Sequence, residues 1–303
     1  MKNKLIIAAG TGFLGNVLIQ HFNNKFKEIV ILTRGKSETK NQIKNVNWNA
    51  KTFSGWEKEL ENADVVINLA GKSVDCRYTE KNKAEILTSR NDSTKILNEA
   101  ILLCKNPPKH FINSSTATIY RHSEDKEMDE YTGEIGNDFS MNVAKSWEKI
   151  FYEIDTPNTL KTAIRTSIVL GKNGGAFLPL KKLTQIGLGG KNGNGRQFVS
   201  WIHEKDFARA IEFIIEKELS GNINVVSLKP IHNKEFMKKL QKAIGIPFGL
   251  PISKSILEIG AKIIKTETEL VLKSRNVIPK RLTENGFEFE FGDLDKTFKN
   301  LIS

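Results

Sequence analysis

Cysteine is scarce in this 303-residue chain: Cys76 and Cys104 form no CxxC pair, and nothing beside them suggests export. Reduced thiols in a cytoplasmic protein are the expectation. Long apolar runs are missing as well. None approaches the roughly 20 residues that span a bilayer. The start, "MKNKLIIAAGTGFLG", turns into a glycine loop too soon for a signal peptide, so no membrane partner is expected. Dense basic blocks with interleaved aromatics are also absent, although the formal net charge is +11. Lysine and asparagine are plentiful and spread along the chain while arginine is sparse, a pattern that fits a genome-wide drift in composition. Specific nucleic-acid binding is therefore not expected, and part of the charge is assigned to an anionic cofactor. His110, His122, His203 and His232 show no ligand spacing, so no metal site is expected.

What is present is an alternation. Short runs rich in β-branched and apolar residues lie at 4–9, 28–33, 64–70, 110–115 and 162–170, with helical spacing at 13–24, 79–105 and 139–153. Nearly continuous apolar strands suit a parallel sheet buried on both faces. Strand, helix, strand in repetition predicts an α/β fold with a doubly wound sheet and right-handed crossovers. After 170 a glycine-rich stretch to 204 is too long for a simple connector and is expected to cover a site. A helix near 205–217, a strand at 223–228, and a helix capped by Asn233 and stopped by Gly245 follow. The division expected is a nucleotide-binding unit over 1–248 and a small, mostly helical unit over 249–303.

"IIAAGTGFLGNVL" holds a GxGxxG at Gly10, Gly12 and Gly15, between a predicted strand and a predicted helix. Those glycines permit a tight turn and close approach of a pyrophosphate to the N–H groups that open the helix. A ligand-free turn is the bland alternative. Where an NAD-binding chain presents a carboxylate after its second strand, this one has Thr33-Arg34-Gly35-Lys36. A guanidinium pairs with a 2′-phosphate that a carboxylate would repel, so NADP(H) is expected over NAD(H).

These residues resemble the extended short-chain dehydrogenase/reductases and, within them, the YfcH-like (SulA-like) epimerase family. The matching stretches are "AAGTGFLG", "LTR", "NLAGKSV", "ILTSRNDST", "SSTATIY", "KSWE", "IRTSIVLGKNGGA", "GLGGKNGNGRQFVSWIHEKD" and "VIPKRLTENGFEF". The resemblance implies a Rossmann fold, an NADP(H) site and a C-terminal domain of unknown function, and it names no substrate. It implies cofactor contacts at Gly10, Thr11, Gly12, Phe13, Leu14, Gly15, Thr33, Arg34, Leu69, Ala70, Gly71, Glu85, Arg90 and Val169. In the family's GxxGxxG frame the first glycine falls on Ala9, a departure that implies a slightly altered turn.

The same resemblance implies a Ser/Thr, Tyr, Lys set for catalysis, and here it breaks. Thr116, with Ser115 beside it, stands at the Ser/Thr position, where a polar strand end satisfying local backbone is the alternative. No tyrosine is followed four residues later by lysine. Counting back from Glu148 puts Ser140 at the tyrosine position and Ala144 at the lysine position. A one-residue slip gives Phe139 with Val143, or Met141 with Lys145. His203, Lys145 and Tyr120 are conceivable replacement acids. His203 has the most suitable ordinary pKa, against the alternative of a histidine packed beside Trp201. Arg196, Gln197 and Trp201 could grip a planar, anionic or carbonyl-bearing substrate, or simply cover the sheet. The expectation is an NADP(H)-dependent oxidoreductase of a small-molecule substrate. The alternative is an NADP(H)-binding regulator or redox sensor, linked to cell division by the SulA-like resemblance. A sugar-nucleotide epimerase is the weakest reading, since it leans on the missing tyrosine. A homodimer is left open.

Overall fold

The computed structural model describes residues 1–253, 258, 267 and 269–303. Its centre is an eight-stranded sheet. Strand β1 (Lys2–Ala8) lies between β2 (Phe26–Thr33) and β5 (Val65–Asn68), parallel to both. From β2 the sheet continues through β4 (Ile43–Asn47) to the antiparallel edge strand β3 (Glu38–Lys40). On the other side it runs from β5 through β6 (His110–Thr116) and β7 (Leu160–Thr166) to β12 (Gly221–Val225), all parallel. The chain thus moves outward from β1 in one direction and then in the other. That reversal opens a crevice at the carboxyl ends of the strands beside β1, where α/β sheets take their ligands.

Alternation along β1 builds two cores. Leu5 and Ile7 face helices α1 (Phe13–Phe22) and α5 (Glu204–Glu216), through Leu18, Phe22, Ile211 and Ile214. Ile6 and Ala8 face α2 (Glu80–Leu102), whose Leu97 and Ile101 lie with Phe151 of α3 (Phe139–Glu153). Thr79 caps α2 by accepting from Asn82 N at 3.2 Å, and Asp138 caps α3 by accepting from Met141 N at 3.1 Å.

The sequence expectations need three corrections here. The run 162–170 is not one strand: after β7 the chain crosses at Ser167 into β8 (Ile168–Gly171), which belongs to a separate small sheet with β9 (Gly174–Gly175) and β11 (Trp201–His203). The glycine-rich stretch contains a helix, α4 (Phe177–Gln185), and the short strand β10 (Phe198–Val199), which pairs with β13 (Ile231–His232). Asn233 does not cap α6 (Asn233–Ile244); the cap position is His232, and the Asn233 side chain accepts from Asn192 N at 2.8 Å. Gly245 does end that helix, in the left-handed conformation at φ 79°.

The described part of the C-terminal stretch packs into the rest. Phe298, in the helix Leu294–Ile302, shares a buried cluster with Phe177, Trp201 and Phe236. Val277 bridges to Met128. Of the small helical unit expected over 249–303, residues 254–257, 259–266 and 268 fall outside the described residues.

Candidate cofactor and substrate site

The glycine loop divides its labour. A Cβ on Gly15 would stand 2.0 Å from the Gly10 carbonyl oxygen, so Gly15 is what lets α1 touch the β1 turn. A Cβ on Gly10 would meet Ile7 Cγ2 at 2.9 Å. At Gly12 nothing lies within 4 Å, so this glycine faces open space where α1 begins. Asn16 N is the first amide to find a helical acceptor, Gly12 O at 2.9 Å, which leaves the amides before it without one. No acidic residue stands in the first turn to compete for them, an arrangement suited to an anion. Thr11 is exposed. Phe13 instead packs its ring against Gly171, Gly174 and Gly175, and Leu14 packs on the core. Ala9 takes φ 58°, the left-handed turn that the family frame gives to glycine.

Strand β4 positions the residues after β2. Asn47 donates its side-chain amide to the carbonyls of Arg34 and Gly35, at 3.3 and 2.9 Å, and Thr33 O accepts from Trp48 N at 2.8 Å. Thr33 Oγ1 accepts from Gly35 N at 3.3 Å. The Arg34 side chain is exposed and has no hydrogen bond or ion pair among the described residues. Backbone held, guanidinium free: the loop offers a positive charge beside a hydroxyl.

After β5, Leu69 N donates to Ala8 O at 3.0 Å and Ala70 N to the buried Asn68 Oδ1 at 3.0 Å. A Cβ on Gly71 would stand 3.0 Å from Arg90 Cζ. Arg90 donates to the carbonyls of Lys72 and Ile86, both at 3.0 Å, and its guanidinium lies over Trp147. Burial lowers its pKa to about 10. Glu85 forms an ion pair with Lys72. Glu85 and Arg90 therefore clamp the 71–72 turn, and any influence on a cofactor runs through where they set it. Val169 is buried in β8, its carbonyl accepting from Ala176 N at 3.4 Å.

At the end of β6, Thr116 Oγ1 accepts from Thr118 N at 3.1 Å, so its own proton remains available to donate. Ser115 points the other way and donates to Glu148 Oε1 at 2.6 Å. Ser140, Ala144 and Glu148 share a face of α3 by their spacing of four. No phenol or ammonium stands at the two positions nearer the helix start. Glu148 anchors a network that sequence reading missed. Arg165 donates Nε and Nη2 to its two oxygens at 2.8 and 2.7 Å, and Nη1 to Tyr120 OH at 2.8 Å. Tyr120 in turn donates to Asn224 Oδ1 at 3.0 Å. Burial opposes the charge on Arg165, but the Glu148 carboxylate outweighs it and raises the pKa. A cavity of about 630 Å³ opens onto this pair, lined also by Lys145, Lys149, Tyr152 and Asn222.

The replacement acids do not survive their surroundings. His203 is fully buried, accepts from Lys205 N at 3.0 Å, contacts Asn300 Oδ1 at 3.1 Å and stacks on Phe291 at 3.9 Å. Burial pushes its pKa down to about 4, the Asn300 contact only partly offsetting it. This histidine caps α5; its catalytic assignment is corrected to a structural one. Tyr120 is tied into the Arg165 network, and Lys145 donates to Asn137 Oδ1 at 2.7 Å. Gln197 and Trp201 are buried, and Arg196 is exposed near Glu124 at 3.5 Å, so those three do not converge as a grip.

Comparison with known proteins fits this geometry. Residues 5–145 match the NAD dependent epimerase/dehydratase family, and residues 256–301 match a domain of unknown function, DUF1731. Epimerase family protein YfhF of Bacillus subtilis is 33% identical over 304 residues, covering 99% of this chain and 98% of its own. Epimerase family protein SDR39U1 of Mus musculus is 29% identical, covering 99% of this chain and all of its own. The crystal structure of human SDR39U1 (isoform 2) with NADPH superimposes with a TM-score of 0.85 at 26% identity, covering 98% of each chain. The chain belongs to this epimerase family of short-chain dehydrogenase/reductases, an NAD dependent epimerase/dehydratase domain followed by a DUF1731 region.

Proposed function

We propose that this chain is an NADP(H)-dependent oxidoreductase of a small organic substrate, working without a tyrosine–lysine proton relay. The observation that carries the cofactor choice is Arg34, unpaired on a fixed backbone beside the Thr33 hydroxyl. A 2′-phosphate there would gain charge-assisted hydrogen bonds. The human relative crystallised with NADPH supports the same reading. The open side of Gly12 and the free amides of α1 would take the pyrophosphate, and the backbone of Leu69, Ala70 and Gly71 would run beside the adenosine. When bound, the nicotinamide supplies or accepts the hydride. Thr116 has a hydroxyl proton to offer a substrate oxygen at the strand end.

A second reading, an NADP(H)-binding regulator, is favoured by one feature: Ser140 and Ala144 occupy the positions of the missing pair. Loss of NADPH absorbance with a panel of carbonyls and quinones separates the two. Turnover that Thr116→Val abolishes supports the enzyme. No turnover across the panel, with a partner protein captured only when cofactor is present, supports the regulator.

A further inference from the structure

Around the vacated tyrosine position, charged side chains from three parts of the chain meet. Tyr78, in the loop between β5 and α2, packs its ring edge-on against Phe139, centroids 4.9 Å apart. Its amide donates to Glu267 Oε1 at 2.7 Å, and Glu267 also pairs with Arg77 at 3.2 Å. Next to Phe139, Ser140 donates its hydroxyl to Glu269. Lys273 bridges Glu269 and Asp138. Every carboxylate named here has a cationic partner. Among the described residues of this cluster, two guanidiniums have no carboxylate bonded to them: Arg90, held by carbonyls, and Arg275.

Arg275 is fixed through its backbone, its N–H donating to Phe198 O at 2.9 Å and its carbonyl accepting from Ser200 at 2.7 Å. Its Nη1 is buried without a hydrogen-bond partner, and so is the hydroxyl of Tyr78. Buried polar atoms left unpaired are rare in folded proteins. Two in one cluster mark a place that a bound group completes. Tyr78, Asp138 and Glu269 act electrostatically on Arg275, and Tyr78 also acts on Arg90. Ser140, whose own hydroxyl is turned to Glu269, lies beside the phenol, and Glu269, Cys76 and Glu267 also face it.

We propose that Tyr78 and Arg275 form the substrate subsite, and that it takes a small carboxylate-bearing carbonyl compound. The carboxylate would accept from the Arg275 guanidinium and the carbonyl oxygen from the Tyr78 hydroxyl. This rests on the oxidoreductase reading and gives it a substrate class. Both atoms are shut off from solvent, so a ligand bound to them would be enclosed by protein.

The test is calorimetric titration of the NADP⁺-loaded chain with pyruvate, 2-oxobutyrate and 2-oxoglutarate, each against a ketone of similar size. At least one oxo acid should bind about tenfold or more tighter than its ketone. Arg275→Met should erase that preference, Arg275→Lys should keep part of it, and Tyr78→Phe should weaken the oxo acid severalfold. All three variants should bind NADP⁺ like the parent chain, which shows that they fold. Normal NADP⁺ binding with no heat from any oxo acid, or a preference unchanged in Arg275→Met, overturns the subsite and leaves the oxidoreductase reading standing. A parent chain that binds no NADP⁺ removes that reading, and the subsite with it.

Discussion

Removing the carboxylate of Glu148 would strand the guanidinium of Arg165 inside the interface of α3 and the sheet. Exposure is only 8% for Glu148 and 6% for Arg165, so water reaching the pair from the neighbouring cavity replaces little of what is lost. The carboxylate accepts from Arg165 Nε and Nη2 and from Ser115, at 2.8, 2.7 and 2.6 Å. Breaking one side of a buried ion pair typically costs about 3–5 kcal/mol, because the surviving charge keeps its desolvation penalty and loses its partner. Glu148→Ala should therefore lower the unfolding free energy by about that amount in urea titrations followed by circular dichroism. The double variant Glu148→Leu, Arg165→Met carries no stranded charge and should lie closer to the parent chain than Glu148→Ala does. A loss of about 1 kcal/mol or less from Glu148→Ala would mean that the pair is solvated in solution, as surface pairs are. A double variant no more stable than the sum of the single losses would show equally that the pair is uncoupled.

Gly12 and Gly15 should separate binding from folding. Gly15→Ala forces a Cβ to within 2.0 Å of Gly10 O and should cost both stability and NADPH affinity, whereas Gly12→Ala meets nothing within 4 Å and should leave the melting temperature nearly unchanged while weakening NADPH. Equal melting losses in the two variants would contradict this division. Stability should also fall on acidification. Burial pushes His110 and His203 from 6.5 down to about 4. Between those values the unfolded chain binds protons that the folded chain refuses, so folding weakens as pH drops through that window and is unaffected by either group above it. The loss from pH 7 to pH 4 should be on the order of 3 kcal/mol per histidine, and a urea midpoint that stays flat from pH 7 to pH 5 would refute the burial.

The doubly wound sheet was legible because buried parallel strands write themselves as unbroken apolar runs, such as "KLIIAA" and "DVVINLA". Strands β3 and β4 escaped notice for the converse reason: "ETK" is wholly exposed and "IKNVN" only half-buried, so neither carries an apolar signature. The break at Ser167 is invisible locally, since β-branched Thr166 and Ile168 flank it and read as one continuing strand. Helix α4 is flanked by glycines that read as loop. The cofactor end could be read from short-range spacing, Gly10 to Gly15 and Thr33 to Arg34. The Glu148, Arg165, Tyr120 network could not, because its members lie 17 and 45 residues apart and only the sheet brings them together. His203 misled because an ordinary imidazole pKa says nothing about burial. Here packing against Phe291 and capping of α5 decide its state.

The claim on which the functional reading turns is that Arg34 selects a phosphorylated nicotinamide dinucleotide. Calorimetric titration of the parent chain and Arg34→Ala with NADPH and NADH at low salt tests it most directly. The expected result is NADPH bound about tenfold or more tighter than NADH. Arg34→Ala should then lose about 1.5–3 kcal/mol for NADPH alone, the worth of hydrogen bonds to a charged group. Equal affinities for the two dinucleotides in the parent chain would contradict it.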